Sequence, residues 1–300
     1  MVKNILPQLA CDFEESKLTF PIMGMPKIDG CRAINLLGNA TGRSLKAHKN
    51  KHITALLSNP DFTGFDGEVA CGPWNSASLC RDTTSAINTI NGEPEFTWWV
   101  FDNIASNVLS STYHERYKRL CERVEALALP YVKVVPMRVL NSLAEVLALE
   151  AECIEQGFEG VILRDPSGLH KSGRATVKGG SYLRIKRFSD SEAIVLRLDE
   201  MQKNLNEAKT NELGYTERSS HQENKEGKGM VGNLICKDIE SGMTISVSAG
   251  NMTHEDRKHY FENQGEIIGK TIKFKHFAHG VKTLPRFPTF LSIRAETDMS

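Results

Sequence analysis

Three hundred residues, 40% hydrophobic and 25% charged, describe an ordinary globular chain able to bury one large core or two smaller ones. Lysine plus arginine equals aspartate plus glutamate at 37 each, so no overall basicity marks a general nucleic-acid binder. No apolar run approaches the ~20 residues of a membrane span, the segment from Met1 to Pro7 lacks the apolar core of a secretory leader, and seven cysteines without C-x-x-C pairing argue against a disulfide framework or zinc site, so a cytoplasmic protein with reduced thiols and no membrane partner is expected.

The chain to about residue 18 reads as polar and irregular, broken at Pro7. Strand-like runs at 18–25 and 33–37 bracket Pro26-Lys27-Ile28-Asp29-Gly30-Cys31-Arg32. Asp-Gly is a strong turn signal, so a charged hairpin turn is one reading. The other is chemical: a lysine held unprotonated is a nucleophile, Gly30 lets backbone approach a ligand, and the fork of Arg32 can reach phosphate or ribose. A turn at 36–42 leads into Arg43-Ser44-Leu45-Lys46, and a short helix is expected over 50–58. A strand over 62–70 carries Asp66-Gly67-Glu68; residues 72–96 hold only short helical possibilities; 97–101 reads as a buried strand.

Ser110 or Ser111 is expected to cap a helix through about Ala128, ended by Pro130. A strand over 131–140 and a helix over 143–155, capped by Ser142 and stopped by Gly157, follow. A strand over 158–164 and a basic loop over 165–180 precede a strand over 182–188, whose alternation puts Arg184 and Lys186 on one face, either to grip one anion or to meet solvent. Beyond it come a strand at 190–198, a polar stretch at 199–229 expected as a mobile loop with a helical piece near Leu205, strands at 230–237, 243–248, 270–277 and 289–294, and a helix at 253–263. Short strands with one helix fit a five-stranded oligonucleotide-binding barrel. The expected domains are 1–189 and 190–300. Basic clusters at 43–51, 170–187 and 270–282 favour a phosphate-rich partner.

Taken in order, these pieces resemble a known family. Lys27-Ile28-Asp29-Gly30-Cys31-Arg32 resembles the first motif, K-x-D-G-x-R, of the covalent nucleotidyltransferases. Asp66-Gly67-Glu68 resembles the third motif, Phe101-Asp102 the aromatic segment after it, Glu159-Gly160-Val161 the fourth and Arg184-Ile185-Lys186 the fifth. Arg286-Phe287-Pro288-Thr289-Phe290, running to Arg294-Ala295-Glu296, resembles the sixth. The series is most similar to the small ATP-dependent DNA ligases, particularly the bacteriophage type, a likeness to which the segment 204–232 adds.

The resemblance implies an α+β fold: a nucleotidyltransferase (adenylation) domain of antiparallel sheets with flanking helices, then a β-barrel OB-fold domain. It implies that Lys27 attacks the α-phosphate of ATP to form lysyl-AMP, with metal and basic neighbours disfavouring the charged amine. Backbone around Met25 and Pro26 would meet adenine, Ile28 would also bind the cofactor, Phe101 would stack on adenine, and Arg32 and Arg43 would hold ribose and phosphate. Glu68 would bind ribose or metal, and Glu159 a divalent metal, magnesium being the expected ion. Arg184 and Lys186 would neutralise the α-phosphate, although the family usually has lysine at both positions. Arg286 would orient pyrophosphate. The implied partner is nicked double-stranded DNA, met by a monomer in replication, repair or recombination, in host-cell cytoplasm if the chain is of phage origin. An RNA ligase, an mRNA-capping guanylyltransferase and a non-catalytic DNA-binding relative are the alternatives.

Overall fold

The computed structural model describes residues 5–277 and 283–294. The chain divides into two compact units, Met1–Lys186 and Arg187–Ser300.

The first unit runs β1 (Gln8–Leu9), β2 (Cys11–Asp12), β3 (Ile22–Pro26), β4 (Cys31–Leu36), β5 (Asn39–Thr41), α1 (Lys51–Leu57), β6 (Phe65–Ala70), α2 (Leu79–Asn88) and β7 (Thr97–Asn103). It continues with α3 (Tyr113–Leu127), β8 (Val132–Val134), β9 (Arg138–Leu140), α4 (Leu143–Glu155), β10 (Val161–Arg164), β11 (Gly173–Arg174) and β12 (Tyr182–Ile185). Two five-stranded sheets result, ordered β2-β12-β10-β3-β9 and β5-β4-β6-β7-β8. Each has its own apolar core: Met23, Leu163 and Leu183 in one, Phe62, Phe65 and Trp98 in the other. β10 is buried at every position, which explains its unbroken Val-Ile-Leu run.

Three expectations shift. The polar start of the chain contains β1 and β2, which pair with β11 and β12. The cap of α3 is Thr112, not Ser110 or Ser111: its hydroxyl accepts from the Glu115 amide while the Glu115 carboxylate accepts from the Thr112 amide. The expected strand over 131–140 breaks around Pro136, which has no N–H to give a ladder. Its halves lie in different sheets, β8 beside β7 and β9 beside β3. The short helical possibilities within 72–96 are realised as α2.

The second unit runs β13 (Ser189–Asn204), β14 (Ala208–Thr210), β15 (Thr216–Arg218), β16 (Lys225–Asp238), β17 (Thr244–Ser248), α5 (His254–Glu262), β18 (Thr271–Phe277) and β19 (Arg286–Ile293). Strands β13, β16, β17, β19 and β18 close a five-stranded barrel around Val195, Leu234, Val247 and Phe274. The stretch 199–229 is not a loop, and no helix forms near Leu205. β13 and β16 stay paired out to Asn204–Lys225, forming a ribbon crowned by the β14–β15 hairpin. Far from the barrel core the ribbon is wet on both faces, so its residues carry no apolar alternation to mark it as strand. Among the described residues, no helix is long and apolar enough to cross a membrane.

Candidate active site

Lys27 sits where the two sheets of the first unit exchange chain. β3 ends at Pro26, paired with Val161 of β10; β4 begins at Cys31, paired with Val69 of β6. The intervening loop is pinned by backbone. The Lys27 amide donates to the Gly160 carbonyl at 2.9 Å, and the Glu159 amide donates to the Lys27 carbonyl at 3.2 Å. Two glycines permit this closeness. A Cβ on Gly30 would lie 2.3 Å from the Val69 carbonyl oxygen, and one on Gly160, at φ +152, would lie 2.1 Å from that of Ile185.

The buried Glu159 carboxylate pairs through one oxygen with the Lys27 ammonium and through the other with that of Lys186. Burial alone disfavours the charge on Lys27, but Glu159, with Glu68 and Asp29, overrides it and raises the amine's pKa. The immediate partner of the Lys27 amine is thus an anion, and the metal and basic neighbours expected to disfavour its charge act against that pairing. Glu159 is desolvated too, yet the two lysines hold its carboxyl below the usual carboxylate range. Glu68, more buried than paired, is pushed up to about 7, with Arg32 and Lys27 opposing the shift.

A cavity of about 270 Å³ opens beside this pair. Met25, Pro26, Lys27, Ile28, Arg32, Arg43, Glu68, Phe101 and Arg184 all line it, so the structure gathers nine sequence-expected residues around one space. Its volume is near the lower end of the ~300–1,000 Å³ usual for small-molecule pockets. Arg32 is tied down by Asp66, with Nε on Oδ1 at 2.8 Å, and by the Gln8 carbonyl, which accepts from Nη1 at 2.9 Å. Its guanidinium carbon stands 5.3 Å from the centre of the Phe101 ring. Arg184 is half-exposed and donates to Asp12 at 2.7 Å. Lys186 lies just beyond β12 and reaches the site through Glu159. Arg286 belongs to the second unit, where it opens β19 with its guanidinium 5.4 Å from the Phe287 ring. Arg294 ends the described residues and pairs with Glu192; Ala295 and Glu296 lie outside them.

Sequence reasoning missed Arg174, Tyr182, Val135 and Ile162, which line the cavity with Leu9, Ala10 and Gly30. Arg174 stands inside the basic cluster at 170–187, and only the pairing of β11 with β1 turns it toward significance. Asp66 was visible as the first residue of Asp66-Gly67-Glu68, but not as the partner of Arg32. Among the described residues, no three His, Cys, Asp or Glu side chains converge as a ready metal cluster. The carboxylates at hand are Glu159 and Glu68.

Residues 224–294 match the family model of the DNA ligase OB-like domain. Over its length the chain is similar to the Chlorella virus DNA ligase-adenylate, at 27% identity, covering 97% of this chain and 99% of that one with a TM-score of 0.54. It is also similar in fold to a Lig E DNA ligase, at 21% identity over 98% of this chain and 100% of that one, with a TM-score of 0.71. The search of curated proteins finds no match.

Proposed function

We propose that this chain, which has the fold of the ATP-dependent DNA ligases, seals nicks in duplex DNA through an AMP carried on Lys27. The Lys27 amine, freed of its proton, attacks the α-phosphorus of ATP; a P–N bond forms and the P–O bond to pyrophosphate breaks. AMP then passes to the 5′-phosphate at the nick, regenerating the lysine. The 3′-hydroxyl finally attacks that phosphate, loses its proton and expels AMP. Each step is phosphoryl transfer, which rests on positioning and charge neutralisation.

The carrying observation is that Lys27 and the eight other motif residues face one cavity. Its apolar wall of Met25, Ile162, Val135 and Phe101 suits a purine, and Arg32, Arg43, Arg174 and Arg184 suit ribose and phosphates. A divalent metal fits as well, and magnesium is the ion we propose. Glu159 and Glu68 would be its carboxylate donors, and it would supply Lewis-acid neutralisation of phosphate charge. The further elements of the reading are a monomer acting in the cytoplasm on nicked DNA during replication, repair or recombination, and a small phage-type enzyme.

The test is label transfer. With α-labelled ATP, wild-type protein should acquire covalent AMP and release pyrophosphate, and K27A should not. The labelled protein should then seal a 5′-phosphorylated DNA nick. Label from GTP instead would favour the capping enzyme, sealing confined to RNA an RNA ligase, and no label at all the non-catalytic relative.

A further inference from the structure

We propose that Arg164, a buried arginine of β10 that does not itself line the cavity, sets the shape of the nucleotide wall by fixing Tyr182, Phe101 and Arg32 together. The inference rests on the reading that this cavity binds ATP.

Arg164 is 1% exposed. Its guanidinium is sandwiched between two rings, 3.9 Å from the centre of Tyr113 and 4.1 Å from that of Tyr182. Three lines run from it to the cavity. The first is direct, since Tyr182 is a lining residue. The second runs to Phe101: Arg164 Nη2 donates to Asp102 Oδ2 at 2.8 Å, and the Tyr113 hydroxyl donates to the Phe101 carbonyl at 2.8 Å. The third runs through Gln8, whose side-chain oxygen accepts from Arg164 Nη2 at 3.4 Å and whose carbonyl accepts from Arg32 at 2.9 Å.

Stability alone does not account for this residue. Asp102 already has a full partner in the fully buried Arg116, which donates from Nε at 2.8 Å and Nη2 at 3.0 Å. A second buried cation adds a desolvation penalty, and buried ion pairs are often replaceable by apolar side chains without loss of stability. Arg164 Nε, moreover, has no partner among the described residues. What a planar cation does supply is a flat plate that two rings can clasp and an edge that holds a carboxylate and an amide at set angles. Arg164 is thus a positioning residue.

R164K keeps the charge and loses the plate; R164M removes both. The experiment measures lysyl-AMP formation against ATP concentration for each variant, beside its thermal unfolding. R164K is expected to unfold near the wild-type temperature, with the KM for ATP raised about tenfold and the limiting rate kept within about twofold, because a misplaced wall weakens binding before chemistry. Y182L should raise KM too, and adding R164K to it should raise KM little further, the signature of residues acting as one unit. An unchanged KM in R164K overturns the inference, as does a deficit that disappears once rates are corrected for folded protein. If R164M does not fold, R164K alone decides. Wild-type protein that takes no label from ATP overturns the ligase reading and this inference with it, whereas a labelled wild type with an unaffected R164K overturns this inference only.

Discussion

Lys27 and Glu159 hold each other through main chain and side chain alike. Their backbones exchange hydrogen bonds at 2.9 Å, via Gly160, and 3.2 Å, while the ammonium and carboxylate form an ion pair between them. The nucleophile of the proposed reaction is therefore placed by the same neighbour whose charge favours its ammonium form.

The pH dependence of adenylation follows. An amine with a raised pKa has little free base at neutral pH, so the rate should climb as pH rises. E159Q removes the charge that holds the proton and leaves the backbone ties intact. The rising limb should move to lower pH, while the maximal rate falls about 100-fold with loss of phosphate-site organisation. Rates of AMP transfer between pH 6 and 10 measure it, and an unmoved limb rejects Glu159 as the proton's keeper.

Glu68 makes the opposite kind of prediction. Burial raises its folded pKa to about 7, above the unfolded ~4.3, so the folded state holds the proton longer. Stability from this group is complete below ~4.3 and is lost as pH rises through 7. E68Q should match the wild type near pH 4 and exceed it at pH 8 by about 1–2 kcal/mol, allowing for partial solvent screening. Urea unfolding at the two pH values checks this; equal gaps at both would reject it. Adenylation by E68Q should fall all the same, since Glu68 lines the cavity.

Gly160 is the backbone hinge of the Lys27–Glu159 lock. G160A places a Cβ 2.1 Å from the Ile185 carbonyl oxygen at an unfavourable φ of +152. We expect a loss of about 3 kcal/mol in stability, with adenylation depressed beyond what the folded fraction explains. Calorimetry beside label transfer separates the two effects.

The ribbon beyond the barrel should behave as an independent module. Replacing its β14–β15 crown with a two-residue turn leaves every barrel strand intact, so the unfolding temperature should hold and Lys27 adenylation should be unchanged. If the crown touches DNA, affinity for nicked DNA should fall about tenfold when its exposed polar strands are lost. A gel-shift titration decides it, and undiminished affinity rejects a DNA role for the crown.

Much of the site was legible because its motifs are short and self-contained. Gly30 advertises close backbone approach, and Lys27, Glu68 and Glu159 sit within three residues of a glycine in sequence, while Phe101 stands out as an aromatic in an apolar strand. What stayed hidden depends on distant pairing. Arg174 matters through a two-residue strand against the start of the chain, and Val135 through a sheet change around Pro136. Arg116 and Arg164 break the rule that arginines face water, so no reading of polarity would bury them. The ribbon failed for a related reason: alternation marks a strand only where one face is dry. The pairing of Lys27 with Glu159 joins residues 132 apart in the chain, so no local pattern shows it.

The loop that carries Lys27 is closed at both ends by ladders, Pro26 against Val161 and Cys31 against Val69. Each ladder alternates faces residue by residue, so sliding either strand by one to absorb an inserted or deleted residue would exchange the faces of every side chain in it. Length is thus as constrained as chemistry in this segment: even a perfect copy of every side chain, spaced one residue differently, would leave the amine aimed elsewhere.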